Sequence, residues 1–288
     1  MDYLVSEFVR VTQRRVPAQS LKRLVPELNN HCQTPYKHPV HLQLLGSNIE
    51  TMAKTAAEAS LAGVTHLDLN FGCPAKRVNG HGGGSFMLQD PETLYQVVKA
   101  VRESLASNIP LSAKMRLGYL DEDLFFENLE AIEKAGADTL TIHGRTKKDG
   151  YGPAARWEKI GEAVKRSKMT IIANGDIQDR ASLERCMAIT GCSHFMIGRG
   201  SLSNPFIFRE LKGGASGSLS ELFELIELYI NELLQHYDDF ATLGRIKQWS
   251  AHLRRDWPIM ADNLKAIRNT QHTDQLKALL HTMQKSEA

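Results

Sequence analysis

Along the first two thirds of the chain, short apolar runs alternate with stretches of helical period, and nearly every run ends on a polar or glycine-bearing tip. Residues 5–11 are β-branched and apolar enough for a strand. Residues 39–46 alternate, with Val40, Leu42 and Leu44 on one face and His41 and Gln43 on the other. Asn48 then caps a helix predicted to run through Leu61 and stop at Gly63. The next strand ends in Leu67-Asp68-Leu69-Asn70-Phe71-Gly72-Cys73-Pro74, and Asp90 with Pro91 opens the helix after it. In residues 111–117 the alternation puts Ser112, Lys114 and Arg116 on one side and Leu111, Ala113, Met115 and Leu117 on the other. Further strands are predicted near 139–142, 170–173 and 194–197, with helices at 125–134, 157–166 and 180–189. Their tips are His143-Gly144-Arg145-Thr146, Asn174-Gly175-Asp176 and Gly198-Arg199-Gly200.

A strand, a polar tip, a helix and a glycine, repeated at about 25 to 30 residues, is the signature of βα units around a parallel sheet. The fold class is α/β, and a closed (β/α)8 TIM barrel is the natural reading, since the polar tips gather where barrel enzymes place their sites. An open doubly wound sheet is the alternative, but no GxGxxG opens a helix near the start. Only seven strands are visible. The eighth is expected to be missing before Val5, where a first strand and helix would need about 25 residues and the chain offers four. Past the linker-like residues 213–218 the pattern is helical only. Leu222, Leu225, Ile226, Tyr229, Ile230 and Leu233 mark one amphipathic helix, and Ile246, Trp249, Leu253 and Trp257 another. The expected division is therefore a barrel at 1–212 and a helical domain at 213–288.

Composition adds boundaries. The 288 residues carry a formal net charge of +2, too little to argue for a nucleic-acid partner by itself. Its distribution says more: residues 215–240 hold six acids and no Lys or Arg, whereas residues 241–270 hold six Lys and Arg against two Asp. Cys32, Cys73, Cys186 and Cys192 form no CxxC, so neither a metal site nor a disulfide framework is indicated. No apolar run approaches the ~20 residues of a membrane span. A soluble, cytoplasmic monomer without metal is expected.

The candidate chemistry lies at the strand tips. Cys73 is followed by a basic, glycine-rich loop, Lys76-Arg77-Val78-Asn79-Gly80-His81-Gly82-Gly83-Gly84, expected to bring backbone amides and two cations to a large anionic ligand. Asn174-Gly175-Asp176 and Gly198-Arg199-Gly200 end the last two strands, where barrels bind phosphate, and Arg199 adds a cation. Gln43, Lys114 and His143 converge from three strands. A lysine can hold negative charge on a reduced flavin while the other two bond its edge, which favours FMN over a nicotinamide as the bound cofactor. In the helical segment Trp249, at i, i+4 and i+8 with Leu253 and Trp257, is read as core.

Asn70-Phe71-Gly72-Cys73-Pro74, Asn79-Gly80-His81-Gly82-Gly83-Gly84, Lys114-Met115-Arg116 and the three later tips together resemble the tRNA-dihydrouridine synthases, from about Ser6 to Trp257. Ser6-Glu7-Phe8-Val9-Arg10-Val11 and Arg245-Ile246-Lys247-Gln248-Trp249 look most like the bacterial C subgroup, which is associated with uridine 16 of the tRNA D-loop. The resemblance implies flavin-dependent reduction of that uridine with NADPH as electron source. Hydride goes to C6 and Cys73 delivers a proton to C5, a role that suits a thiol because it is largely protonated at neutral pH. It further implies that Gln43, Lys114, His143, Asn174, Gly175, Asp176, Gly198 and Arg199 bind FMN, and that Arg10, Asn70 and Arg116 face the RNA, with Arg245 and His252, a heptad apart, as a pair facing it from the helical segment. Lys76, Arg77, Arg145, Lys147 and Lys148 at the mouth, and Lys247, Arg254 and Arg255 in the helical segment, are further candidates for phosphate. The family's opening strand, with its Ala-Pro-Met type end, and the helix after it have no counterpart here. A small-molecule FMN oxidoreductase and a flavin-free tRNA-binding remnant are the alternatives.

Overall fold

The computed structural model describes residues 1–286, which pack as two compact units. The first holds Met1–Asp176 and Glu184–Met196, and the second holds Ile177–Leu183 and the chain from Ile197 onward.

The first unit is an all-parallel sheet in sequential order. Its strands are β1 (Leu4–Val5), β2 (Val9–Arg10), β3 (Val40–Leu45), β4 (Leu67–Phe71), β5 (Leu111–Arg116), β6 (Thr139–His143), β7 (Thr170–Asn174) and β8 (His194–Met196). Both β1 and β2 pair with β3, so they share one position and the sheet has seven. The strand expected at 5–11 is interrupted because a side chain enters the ladder: Ser6 Oγ accepts from the Gln43 backbone N–H at 3.1 Å. Closure is not reached, since among the described residues β8 does not pair with β1 or β2. The result is a part-barrel.

The connecting helices are α1 (Ala18–Leu24), α2 (Ile49–Ala62), α3 (Lys76–Asn79), α4 (Pro91–Ser104), α5 (Phe125–Lys134), α6 (Trp157–Arg166) and α7 (Arg180–Thr190). Their ends follow the local signals. Asn48 caps α2 by accepting from Thr51 N–H, Gly63 closes it at φ 84°, and Asp90 caps α4 by accepting from Thr93 N–H. The sequence pattern did not predict α1, which is seven residues long and fully buries only Leu21. So short a stretch leaves almost no period to read.

The two faces of the sheet divide the work. Leu42, Leu44, Leu67, Leu69, Leu111, Ala113, Met115, Leu140 and Ile142 are buried to 2% exposure or less on the face that the helices cover. The other face carries Gln43, Asp68, Asn70, Ser112, Lys114, Thr141 and His143, in a register that sets Gln43 beside Asp68, Asp68 beside Ser112, and Asn70 beside Lys114. At the amino ends of the strands this inner face is closed by stacked rings. Tyr3 lies 4.1 Å from His41, and His41 lies 3.7 Å from His66 with an interplanar angle of 3°.

The second unit comprises α8 (Arg199–Ser203), α9 (Ile207–Leu211), α10 (Leu219–Leu234), α11 (Asp239–Leu253), α12 (Pro258–Asp262), α13 (Leu264–Asn269) and α14 (Thr273–Ser286). Its core is Leu222, Phe223, Ile226, Ile230, Leu243, Ile246, Leu253, Met260, Ile267 and Leu276. Trp249 and Trp257 are half-buried against that core, and their indole N–H groups donate to the carbonyls of Leu202 and Ser203. The predicted boundary at residue 212 therefore shifts, because α8 and α9 pack within the second unit. Residues 213–218 do not form a free linker. Arg209 donates to the Ala215 carbonyl and pairs with Glu221, and a Cβ on Gly217 would sit 2.0 Å from the Phe206 ring.

The histidine stack has a measurable consequence. Burial, then the neighbouring His66, pushes His41 down to about 3, and burial also lowers His66. Both pKa values fall below the unfolded reference of 6.5, so the unfolded chain takes up protons first as pH drops. The contribution of these two rings to stability is complete above about pH 6.5 and is lost below it. The slope per histidine is at most about 1.4 kcal/mol per pH unit, reduced by solvent screening of the partly exposed rings. Urea midpoints of the wild type should fall between pH 7 and pH 5, and those of His41→Phe should fall less.

Candidate active site

Cys73 follows β4 directly, and its backbone is held more firmly than its side chain. Its carbonyl accepts three hydrogen bonds, from Asn79 Nδ2 at 2.8 Å, Ser85 Oγ at 2.9 Å and Ser85 N–H at 3.1 Å. The chain can pass this close only as glycine: Gly84 has φ +62°, and a Cβ there would sit 2.8 Å from the Cys73 oxygen. The amides of residues 80–83 are already used within the loop. The N–H groups of Gly80, His81, Gly82 and Gly83 donate to the carbonyls of Lys76, Val78, Asn79 and Val78. The expectation of an amide cradle for an anion is corrected accordingly, and the loop is a clamp on the cysteine peptide.

Beside Cys73 the inner face forms a connected polar layer. Asn70 Oδ1 accepts from Gly72 N–H at 3.0 Å, and Asn70 Nδ2 donates to Gln43 Oε1 at 2.8 Å. Gln43 Nε2 donates to Asp68 Oδ2 at 2.7 Å, and Ser112 Oγ donates to Asp68 Oδ1 at 2.5 Å. Burial pushes the Asp68 carboxyl up, while its donors Ser112 and Gln43, with the Lys114 charge, pull it back. Lys114 lies alongside Gly72, its Nζ 3.7 Å from where a Cβ on that glycine would stand. Burial, then the Arg116 charge, lowers Lys114 to about 8, against the opposing pull of Asp68 and Cys73. Asp68 was not among the residues that the sequence marked. The available signal was a charged residue two positions before Asn70, on the same face of a strand.

The tips of β6 and β7 form a brace. Arg145 is buried, donates through Nη2 to both oxygens of Asp176 at 2.8 and 2.6 Å, and donates through Nε to the Pro153 carbonyl. Its Nη1 lies 3.3 Å from His143 Nε2. A guanidinium only donates, so Nε2 accepts and the His143 proton sits on Nδ1. Gly175 has φ +116°, and a Cβ there would sit 3.0 Å from the His143 ring. Asn174 donates to the Met196 carbonyl. The Asp176 carboxylate also accepts from Ala155 N–H, so it serves the brace.

Two arginines differ from their expected roles. Arg116 is 2% exposed, and its guanidinium donates to the carbonyls of Gly72, Thr146 and Gly150. A side chain spent on three carbonyls is not presented to RNA, and the same correction holds for Arg145. Arg116 also faces the exposed ring of Tyr151, 5.5 Å away, a residue that no sequence pattern marked.

Basic side chains also line a cleft in each unit. In the first, Arg10, Arg77 and His81 line a cleft of about 300 Å³ with Ser47 and Asn48. In the second, Arg199, His252, Arg254 and Arg255 line a cleft of about 390 Å³ with Gln178 and Ser203, and Gly198 immediately precedes α8. Arg245 stands elsewhere on α11, over the Tyr237 ring at 3.9 Å. Among the described residues no group of His, Cys, Asp and Glu is placed to hold a metal ion, and no helix is long and apolar enough to cross a membrane.

The chain has relatives of known fold and of known name. In fold, the chain resembles morphinone reductase in complex with tetrahydroNAD (TM-score 0.50, 13% identity, 75% of this chain and 79% of that one). It also resembles a DHODH from Eimeria tenella in complex with ferulenol (TM-score 0.52, 13% identity, 72% of this chain and 65% of that one). In sequence it is 40% identical over 284 residues to the tRNA-dihydrouridine(16) synthase of Shewanella oneidensis, covering 98% of this chain and 90% of that protein. The proteins of the same name from Cupriavidus necator and Yersinia pestis are each 39% identical, over 97% and 93% of this chain and 88% of theirs. The Dihydrouridine synthase (Dus) family model matches residues 1–287, a span that takes in the clamped cysteine, the polar layer and both units, and the chain belongs to that family.

Proposed function

We propose that this protein reduces uridine 16 of tRNA to 5,6-dihydrouridine, with FMN as bound cofactor, NADPH as reductant and Cys73 as proton donor. The observation that carries the reading is Cys73 clamped by its backbone beside the layer of Asn70, Gln43 and Lys114. The name these relatives carry, tRNA-dihydrouridine(16) synthase, supports the substrate and the position.

The residues present suit a flavin. The Gln43 and Asn70 amides each keep one N–H outside the chain of bonds described above, and Lys114 is a cation on the same face. Such a set offers donors and positive charge to a ligand edge of acceptors that becomes anionic on reduction. Gln43, Lys114, His143, Asn174 and Gly175 would hold the ring system. In the second unit the cleft bearing Arg199 has the charge a phosphate requires. When bound, FMN supplies to C6 of the uracil the hydride taken from NADPH. The protein's own share is to orient the base through Asn70, to hold positive charge on Lys114 and to give a proton from Cys73 Sγ to C5.

The uridine must leave its loop to be reduced, at a cost of a few kcal/mol that phosphate contacts have to offset. Arg10 and Arg77 at the first cleft, the exposed Lys76 and Lys148, and His252, Arg254 and Arg255 at the second supply those contacts, with Arg245 farther along α11.

The direct test is dihydrouridine formation at position 16 of unmodified tRNA by the FMN-loaded protein with NADPH. NADPH oxidation that ignores tRNA would point to a small-molecule reductase instead. Cys73→Ala should lower turnover about 100-fold or more while flavin and tRNA binding stay close to wild type, because the clamp holds the backbone carbonyl that alanine keeps. Turnover of Cys73→Ala near the wild-type rate would remove the thiol from the chemistry.

Lys114 gives a pH prediction. Its charged form is present below about 8 and lost above it, so flavin-dependent turnover should decline as pH rises through that value. Lys114→Arg, whose charge persists, should move the decline to higher pH. A profile identical in the two proteins would assign the limb to another group.

A further inference from the structure

The direction of the bonds in the polar layer is fixed by one atom. Gly72 N–H can only donate, so the Asn70 atom 3.0 Å from it must be Oδ1. Asn70 Nδ2 is then the atom facing Gln43 at 2.8 Å, which must answer with Oε1. That leaves Gln43 Nε2 facing Asp68 at 2.7 Å, where Oδ2 must accept. Turning any amide over would set two donors against each other, at Gly72, at Asn70 or at both.

We propose that Asp68 is the positioning residue of this site: as the final acceptor of a one-way hydrogen-bond chain whose direction the Gly72 amide sets, it holds Gln43, and through Gln43 Asn70, at the place from which each presents an N–H to the ligands. Asp68 is 3% exposed and acts through its neighbours. The inference rests on the flavin and uridine reading above, and it says why that site selects ligands with carbonyl edges. Without that acceptor Gln43 Nε2, still turned inward by Asn70, is left unpaired, and the amide loses the position from which its second N–H meets a flavin or uracil carbonyl.

Asp68 has a second effect, through charge. Lys114 is faced by Asp68 from β4, by Arg116 from its own strand and by Cys73 from the tip of β4. Of these, Asp68 and Cys73 support the protonated lysine and Arg116 opposes it. Removing the carboxylate should lower the pH at which Lys114 loses its proton.

Two substitutions separate the effects. Asp68→Asn keeps an oxygen for Gln43 and can donate to Ser112 Oγ, so the chain survives without its charge. Asp68→Leu removes the acceptor. The measurements are FMN affinity by fluorescence quenching and FMN reduction potential against pH, with kcat and KM on tRNA alongside. Asp68→Asn should bind FMN close to the wild-type value, while the break in the potential curve that reports Lys114 moves to lower pH. Asp68→Leu should bind FMN at least about tenfold more weakly and lose kcat more than it raises KM for tRNA. A merely structural role would shift urea midpoints and leave the Asn variant's break in place, and an unmoved break overturns the proposal even if Asp68→Leu does not fold. Wild-type FMN affinity and kcat in a folded Asp68→Leu overturn it equally. Failure of the wild type to take up FMN in the same titration would sink the flavin reading itself, an outcome distinct from indifference of the variants.

Discussion

A carboxylate removed from water has to be answered inside the protein, and the arrangement of the inner face follows from how Asp68 is answered. Ser112 and Gln43 donate to its two oxygens, and the Lys114 charge acts on it from the adjacent strand. This is possible because the neighbouring strands are parallel and in register, with Gln43, Asp68 and Ser112 side by side. The register is in turn held by the leucine-rich opposite face, since a slip by one residue would turn Leu42, Leu44, Leu67 and Leu69 inward and the polar layer outward. Hydrophobic burial on one side therefore keeps the chemistry on the other in place.

Cations at similar strand positions are used differently because their head groups differ. Lys114 ends in a single point of charge whose pKa responds to burial and neighbours, which suits a group that must balance charge on a ligand. Arg116, two residues along the same strand, is a planar fork that reaches three carbonyls from two loops and stays charged. Arg145 uses its fork on Asp176, Pro153 and His143. Both arginines belong to motifs that resemble tRNA-modifying enzymes, and in this protein both hold the loops that carry the site. Presence in a motif identifies a residue as important without saying what it touches.

Most of the architecture was legible in the sequence for a physical reason: alternation and helical period report which face is buried, and Asn48, Gly63, Asp90 and Pro91 report where helices begin and end. What periodicity cannot report is a contact between distant side chains. The break at Ser6 depends on a serine hydroxyl replacing a carbonyl in the ladder, and the shift of α8 and α9 to the second unit depends on Arg209, Glu221 and Phe206 meeting around Gly217. The site was legible to the same extent. Gln43, Asn70, Lys114 and His143 were marked by their place at strand tips, whereas Asp68 lies deeper in its strand and Tyr151 lies in a loop without a period.

The glycine-rich loop shows how composition can suggest the wrong geometry and still mark the right place. Glycine permits two things, an amide cradle for an anion and a close passage of one backbone over another. Here the amides of residues 80–83 are paired within the loop, and Gly84 makes the passage over the Cys73 carbonyl. For the acid role proposed for Cys73 this is the more useful of the two. Holding Cys73 through its carbonyl fixes the residue while spending none of the side chain, and no hydrogen bond to Sγ is found among the described residues. A thiol positioned by its backbone keeps its proton available for a base brought against it, whereas one positioned by its own hydrogen bond would have to break that bond as it reacts.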